Sequence, residues 1–390
     1  MIRLSSTRRA PVPPLRAGGS WHGRPLAAVV STRGDVPEML QIERAAVDAL
    51  NRASSAEELA DLVQEAIRLE FSTIPPYLTA MLSLKPGCNR EIWWDIHDVV
   101  VDEMLHMAIG CNLLNALGRA PTIADPEFLP SYPSTLPLGV GTGLVVGLQP
   151  FSRDLVKQVF MEIEEPEDPL VFPAERLTAV TAPTFATIGE FYRTLRSKLI
   201  DLTNALFCGD PARQLVSPRW FPAERLFAIT DVNSAVRALT LVVEEGEGTE
   251  TAPVDPDGDV AHYYRFEAIW RGRRLVSDLT VPEGYSFTGP AYPFEPNGVW
   301  PLVANQRIDD LDTGTEAWRR AHQFQVTFTR LLAALQRVFD GEPEHLDVAM
   351  GIMFELKIAG QVLAGLPAIV DGQPTGRTAG PVFGYALVNE

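Results

Sequence analysis

Residues 99–114 read VVVDEMLHMAIGCNLL. The run is apolar enough for a buried helix, yet Asp102, Glu103 and His106 sit inside it. At 100° per residue, Val99, Gly110, Leu113 and Leu117 mark one face, and Glu103 and His106 both fall within it. Their i, i+3 spacing aims a carboxylate and an imidazole at one point. Asp102 lies at the margin of that face and suits a supporting role. His97 points well away.

The preceding helical pattern repeats the anomaly. Ser55-Ala-Glu-Glu58 has the form of a capping box, in which Ser55 accepts the Glu58 amide and the Glu58 side chain reaches back. Leu59, Val63, Ala66, Ile74 and Tyr77 then recur at helical spacing, with Glu70 in the middle of their face. Pro75-Pro76 is expected to interrupt and kink this helix. A buried carboxylate must be paired, protonated or ligated. A structural ion pair would satisfy Glu70 alone. With Glu103-x-x-His106 on the neighbouring antiparallel helix, a metal becomes the better reading. A carboxylate from one helix plus Glu-x-x-His from the next is half of a carboxylate-bridged dimetal site in a four-helix bundle. Such donors suit iron or manganese, and zinc is compatible.

The other half should come from a second helix pair. In TIGEFY, residues 187–192, Glu190 opens a helix but lies off the Ile188/Tyr192/Leu195/Leu199 stripe. Periodicity alone makes it a first-turn glutamate favoured by the helix dipole. In VVEEGEGT, residues 242–249, Glu247 projects nearer the Leu239/Val243 face than Glu244, and Glu245 points away. A solvated acidic loop is an equal reading of that cluster. If residues 251–259 loop out, His262 returns to the helix end and completes an interrupted Glu…His pair. His22, His322 and His345 lack such a context.

Around these helices the chain has 390 residues and a net charge of −17, which argues against nucleic acid as a partner. Cys88, Cys111 and Cys208 have no CxxC spacing, so a reducing cytoplasm is the expected compartment. No apolar run reaches the length of a membrane span. Six arginines and no acid occupy the first 34 residues, but Pro11, Pro13, Pro14, Gly18 and Gly19 break any export signal. The expected organisation is a basic Pro/Gly-rich tail over 1–35 and a metal-binding bundle with loop insertions over 36–275. An irregular segment with short strands and C-terminal helices packing on the bundle fills 276–390. Residues 121–183 are dense in proline and glycine and read as irregular.

LEFSTIPPYL (69–78), DEMLHM (102–107), TIGEFY (187–192) and VEEGEG (243–248), in this order, resemble one family. It is the ferritin-like domain family that includes the iminophenyl-pyruvate dimer synthase domain of violacein-type pathways. The resemblance covers about residues 45–275. It implies a mainly α, ferritin-like four-helix bundle around a metal site, in stand-alone form. It also raises Glu190 above its wheel reading and favours Glu247 and His262, while Glu244 stays an additional candidate. Residues 187–275 lack the uninterrupted second Glu-x-x-His, which leaves the second metal open, and the dimer-synthase reaction does not carry over.

The function expected is a di-iron oxidoreductase that reduces dioxygen or a peroxide and acts on a small organic substrate, in secondary metabolism by analogy. Glu70, Glu103, His106, Glu190, Glu247 and His262 would be the ligands. Tyr77 and Tyr192 would line a substrate pocket or fill the core. The alternative is a non-catalytic ferritin-like protein holding one metal such as zinc. Iron storage is a weaker third, because long insertions hinder cage packing. A homodimer is the base-rate expectation.

Overall fold

The computed structural model describes residues 39–386, apart from 140–142, 167–169, 171–187, 203–205 and 250–251. The expected basic tail lies outside the described residues. The first helices are α1 (Met39–Arg52), α2 (Ala56–Ser83) and α3 (Arg90–Ala116). Ser55 caps α2 by accepting the Glu58 amide at 3.2 Å. The Glu58 carboxylate reaches back one residue further than the box requires, to the Ser54 amide at 2.7 Å. Gly118, at φ +86°, ends the turn after α3, where a left-handed residue without a Cβ is at ease.

The double proline does not interrupt α2, which runs through it to Ser83. Pro76 cannot donate to the Ser72 carbonyl, and the Tyr132 hydroxyl donates to that oxygen instead, at 2.6 Å. With one of the two freed carbonyls satisfied and both prolines buried, the helix continues as one element.

The chain then forms α4, from the consecutive pieces Arg153–Leu155, Val156–Phe160 and Met161–Ile163, of which the middle one is π-helical. It falls in the segment expected to be irregular. Next come α5 (Ile188–Leu202), α6 (Val232–Glu247) and α7 (His262–Arg271). Helices α2, α3, α5 and α6 form the bundle: α2 packs along α3, α5 along α6, and α6 on α3. Gly110 permits the close approach of α3 to α2, since a Cβ there would stand 2.9 Å from Cγ1 of Ile67.

Two short strands, β1 (Val276–Ser277) and β2 (Tyr285–Ser286), pair antiparallel. The last helices, α8 (Glu316–Phe339) and α9 (Leu346–Ala364), pack on each other, α8 touching α3 and α9 touching α2. An antiparallel hairpin follows, β3 (Pro367–Val370) and β4 (Gln373–Thr378). Among the described residues no helix is long and apolar enough to cross a membrane.

Candidate metal centre

The apolar faces of α2 and α3 meet in the core, and that burial carries Glu70, Glu103 and His106 inward. Each is 3% exposed. Nδ1 of His106 lies 3.7 Å from Glu70 Oε2 and 3.8 Å from Glu103 Oε2. A second group shares Glu103. Nδ1 of His262, the first residue of α7, lies 3.1 Å from Glu103 Oε1 and 3.5 Å from Glu164 Oε2. Glu103 thus turns one oxygen toward each imidazole, and the two rings lie 5.6 Å apart, nearly parallel. In each group the three donor atoms lie within 4.8 Å of one another.

These residues fit metal ions better than ion pairs. Among the described residues no lysine or arginine pairs with Glu70, Glu103 or Glu164. Nδ1 of His262 is buried and has no hydrogen-bond partner, although two carboxylate oxygens stand beside it. A nitrogen lone pair facing carboxylate oxygens is the donor set of a cation, whose bonds of about 2.0–2.2 Å span such a group. Charge agrees. Glu70, Glu103 and Glu164, with Asp102 and Glu245 beside the histidines, make five carboxylates, and Arg225, which pairs with the last two, supplies one positive charge, so neutral imidazoles leave a formal −4, which two divalent cations cancel.

Both histidines turn Nε2 outward to a carboxylate. His106 Nε2 is 2.8 Å from Glu245 Oε2, and His262 Nε2 is 3.3 Å from Asp102 Oδ2. Bonds of this kind fix the tautomer that leaves Nδ1 free to ligate. Two buried phenols hold the remaining glutamates. Tyr77 donates to Glu164 Oε1 at 2.5 Å, and Tyr192 donates to Glu70 Oε1. Each of these glutamates therefore gives one oxygen to a tyrosine and turns the other toward a histidine.

Burial pushes the Glu70 carboxyl up to about 7 against the pull of His106. Burial also raises Glu103, as does Glu164, but His106 and His262 outweigh them and hold it low. Burial opposes protonation of His106 and His262, but their carboxylate neighbours outweigh it and lift both well above the usual imidazole range. Burial likewise opposes ionisation of Asp102, yet His262 and Arg225 hold it well below the carboxylate range. Burial first, then Glu164 for Tyr77 and Glu70 for Tyr192, keeps both phenols protonated.

Of the residues singled out by sequence, Glu70, Glu103, His106 and His262 come together. Asp102 borders them through His262, and Tyr77 and Tyr192 donate to Glu164 and Glu70. Tyr192 also lines a small crevice with Glu164, Gly189, Val242, Val243 and Gly246. Glu190 and Glu244 are half-buried and belong to neither group. On α5 the buried stripe runs through Phe191, Tyr192, Leu195 and Leu199, so Tyr192 rather than Glu190 reaches Glu70. Glu247 ends α6, and its side chain lies outside the described residues.

Three members were not foreseen. Glu164 follows α4, whose Leu155, Val156, Val159, Phe160 and Ile163 are buried, a helical spacing that the surrounding prolines obscured. Glu245 does not point away: the buried stripe of α6 is Ala235, Ala238, Leu239 and Val242, and Glu245 continues it. Aligning the wheel on Leu239/Val243 placed Glu245 on the wrong side, because Val243 is only half-buried. Arg225 joins Asp102 and Glu245 from the connection before α6. It borders a cavity of about 290 Å³, also lined by Asp98, Asp255, Asp257, Asp259 and Arg265.

Comparison with known proteins agrees with this architecture. The model of the Ferritin-like family matches residues 63–271. A ferritin-like protein from Caulobacter vibrioides, known from its crystal structure, is similar with a TM-score of 0.53 and 22% identity. That similarity covers 84% of this chain and 97% of that one. No curated protein shows significant similarity to the chain. The family match spans more than half of the sequence and contains all five clustered glutamates and histidines, and the chain therefore belongs to the ferritin-like family.

Proposed function

We propose that this protein is a dinuclear metal oxidoreductase, with iron as the leading metal and manganese the nearest alternative. The observation that carries the reading is Glu103, shared by two groups that are each completed by one further glutamate and one histidine. Two ferrous ions, when bound, supply electrons and open coordination positions for the reduction of dioxygen or a peroxide.

The chain's own residues prepare that chemistry. Glu70, Glu103, Glu164, His106 and His262 would hold the ions, with Glu103 between them. Tyr77 and Tyr192 keep Glu164 and Glu70 from rotating by donating to their outer oxygens. The apolar shell, including Phe160 and Phe266 around Tyr77, excludes water from the acidic core. The crevice beside Tyr192, about 20 Å³, has room for about one water-sized molecule and supports approach by dioxygen from the α5–α6 side. The sequence resemblance to the iminophenyl-pyruvate dimer synthase type favours an aromatic or amino-acid-derived substrate.

Anaerobic ferrous titration of metal-free protein, followed by admission of air, tests the reading. Two irons per chain, oxygen uptake and a new absorption band are expected. One tightly held zinc with no oxygen uptake would instead make the protein a binding module.

A further inference from the structure

We propose that Arg225 is the positioning residue that locks the two halves of the metal centre together. The inference rests on the dinuclear reading above and concerns how both histidines are aimed.

The two imidazoles are held in the same way. Each faces the glutamate cluster through Nδ1 and gives Nε2 to a carboxylate, Glu245 for His106 and Asp102 for His262. Each of those carboxylates has one oxygen left, and one guanidinium takes both. Nε of Arg225 donates to Glu245 Oε1 at 2.8 Å, and Nη2 donates to Asp102 Oδ1 at 2.7 Å. A second contact from Nη2 to Glu245 Oε1 closes the fork. The path from one histidine to the other therefore runs His106, Glu245, Arg225, Asp102, His262.

The clamp is not an ordinary surface ion pair. Glu245 and Asp102 are 8% and 13% exposed, and Arg225 is 30% exposed. Two carboxylates held this close repel each other unless a cation lies between them. A planar guanidinium presents several donors in a fixed fork, which a lysine ammonium lacks. Arg225 itself is pinned. Its loop is fastened to α3 by Asn112, whose Oδ1 accepts from the Leu215 amide at 2.7 Å and whose amide group donates to the Leu215 carbonyl at 2.8 Å. Gln214 closes the loop on Ile229 through both of its amide atoms. Asn112 lies on α3 with His106, so one rigid helix sets both the ligand and the anchor of its clamp.

The position of Arg225 predicts a pattern that no single-site role would produce. Removing an outer-shell partner typically weakens metal binding about 10–100-fold. Arg225→Ala should do so for both ions, whereas Asp102→Ala and Glu245→Ala should each weaken mainly one.

The test is titration of metal-free protein with Co²⁺, read by the visible ligand-field spectrum and by stoichiometry. Far-UV circular dichroism establishes that each variant is folded. Wild type should take up two ions. Arg225→Ala should bind both about 10–100-fold more weakly, with altered bands. Arg225→Lys keeps the charge and the fold but should remain weaker than wild type for at least one ion. Wild-type affinity and bands in Arg225→Ala, or in Arg225→Lys, would overturn the positioning role alone. So would a loss confined to one ion in Arg225→Ala. A wild type that takes up fewer than two ions would overturn the dinuclear reading, and the clamp with it.

Discussion

Glu70→Gln should stabilise the metal-free protein while removing its first metal. Glu70 is 3% exposed, and its carboxyl is raised from an ordinary 4.5 to about 7, chiefly by burial. The folded chain therefore holds this proton more tightly than the unfolded chain. Ionising Glu70 costs stability, beginning as pH rises past 4.5 and complete above about 7. That interval, at about 1.4 kcal/mol per pH unit, amounts to about 3 kcal/mol. A glutamine keeps an acceptor for Tyr192 and carries no charge, so the gain should be about 3 kcal/mol near pH 8 and nearly absent near pH 4.5. With metal present that advantage is roughly cancelled near pH 8. Each site filled at 100 times its Kd adds about 2.7 kcal/mol, and the variant forfeits that of the first group. Urea denaturation of chelator-treated and metal-loaded protein at the two pH values measures both effects. A variant no more stable than wild type near pH 8 without metal, or one that keeps the full metal-dependent gain, would show that Glu70 is not an ionised buried ligand.

Metal uptake should weaken as pH falls, because His106 and His262 have raised proton affinities and each must release its proton to ligate through Nδ1; a competition titration across pH measures the slope. Tyr77→Phe and Tyr192→Phe should leave the helical content intact yet lower affinity for their own ion about tenfold, by releasing Glu164 and Glu70 respectively, as equilibrium dialysis would detect. Glu164→Ala should reduce the stoichiometry from two ions to one, whereas Glu190→Ala should leave it at two, with elemental analysis as the readout. Gly110→Ala should destabilise the fold by about 1–3 kcal/mol despite alanine's better helix propensity, since its Cβ would meet Ile67 at 2.9 Å; a thermal melt decides the sign.

The sequence by itself determined the parts of this protein that local periodicity controls. Apolar spacing on α2 and α3 defines which face of each is buried, and three polar residues on those faces, Glu70, Glu103 and His106, stand out because nothing local can satisfy them. His262 was legible only through the resemblance and a conditional closure onto the glutamates at the end of α6, whereas its Nδ1 lies beside Glu103 and Glu164. Only the tertiary structure decided the rest. Glu164 stands after a short helix with a π-helical middle, whose apolar spacing is masked by proline-rich neighbours. Glu245 was misplaced because the wheel was aligned on the larger apolar residues, while the buried stripe of α6 includes the small Ala235 and Ala238. The β3–β4 hairpin is almost wholly exposed along β4, so it offers no alternation of apolar and polar residues to read. Arg225 lies in an irregular connection and gains its meaning from Asp102 and Glu245, which are 123 and 20 residues away. A helix announces its buried face through its own spacing, but a shared carboxylate and a guanidinium between two histidine partners exist only once distant segments have packed together.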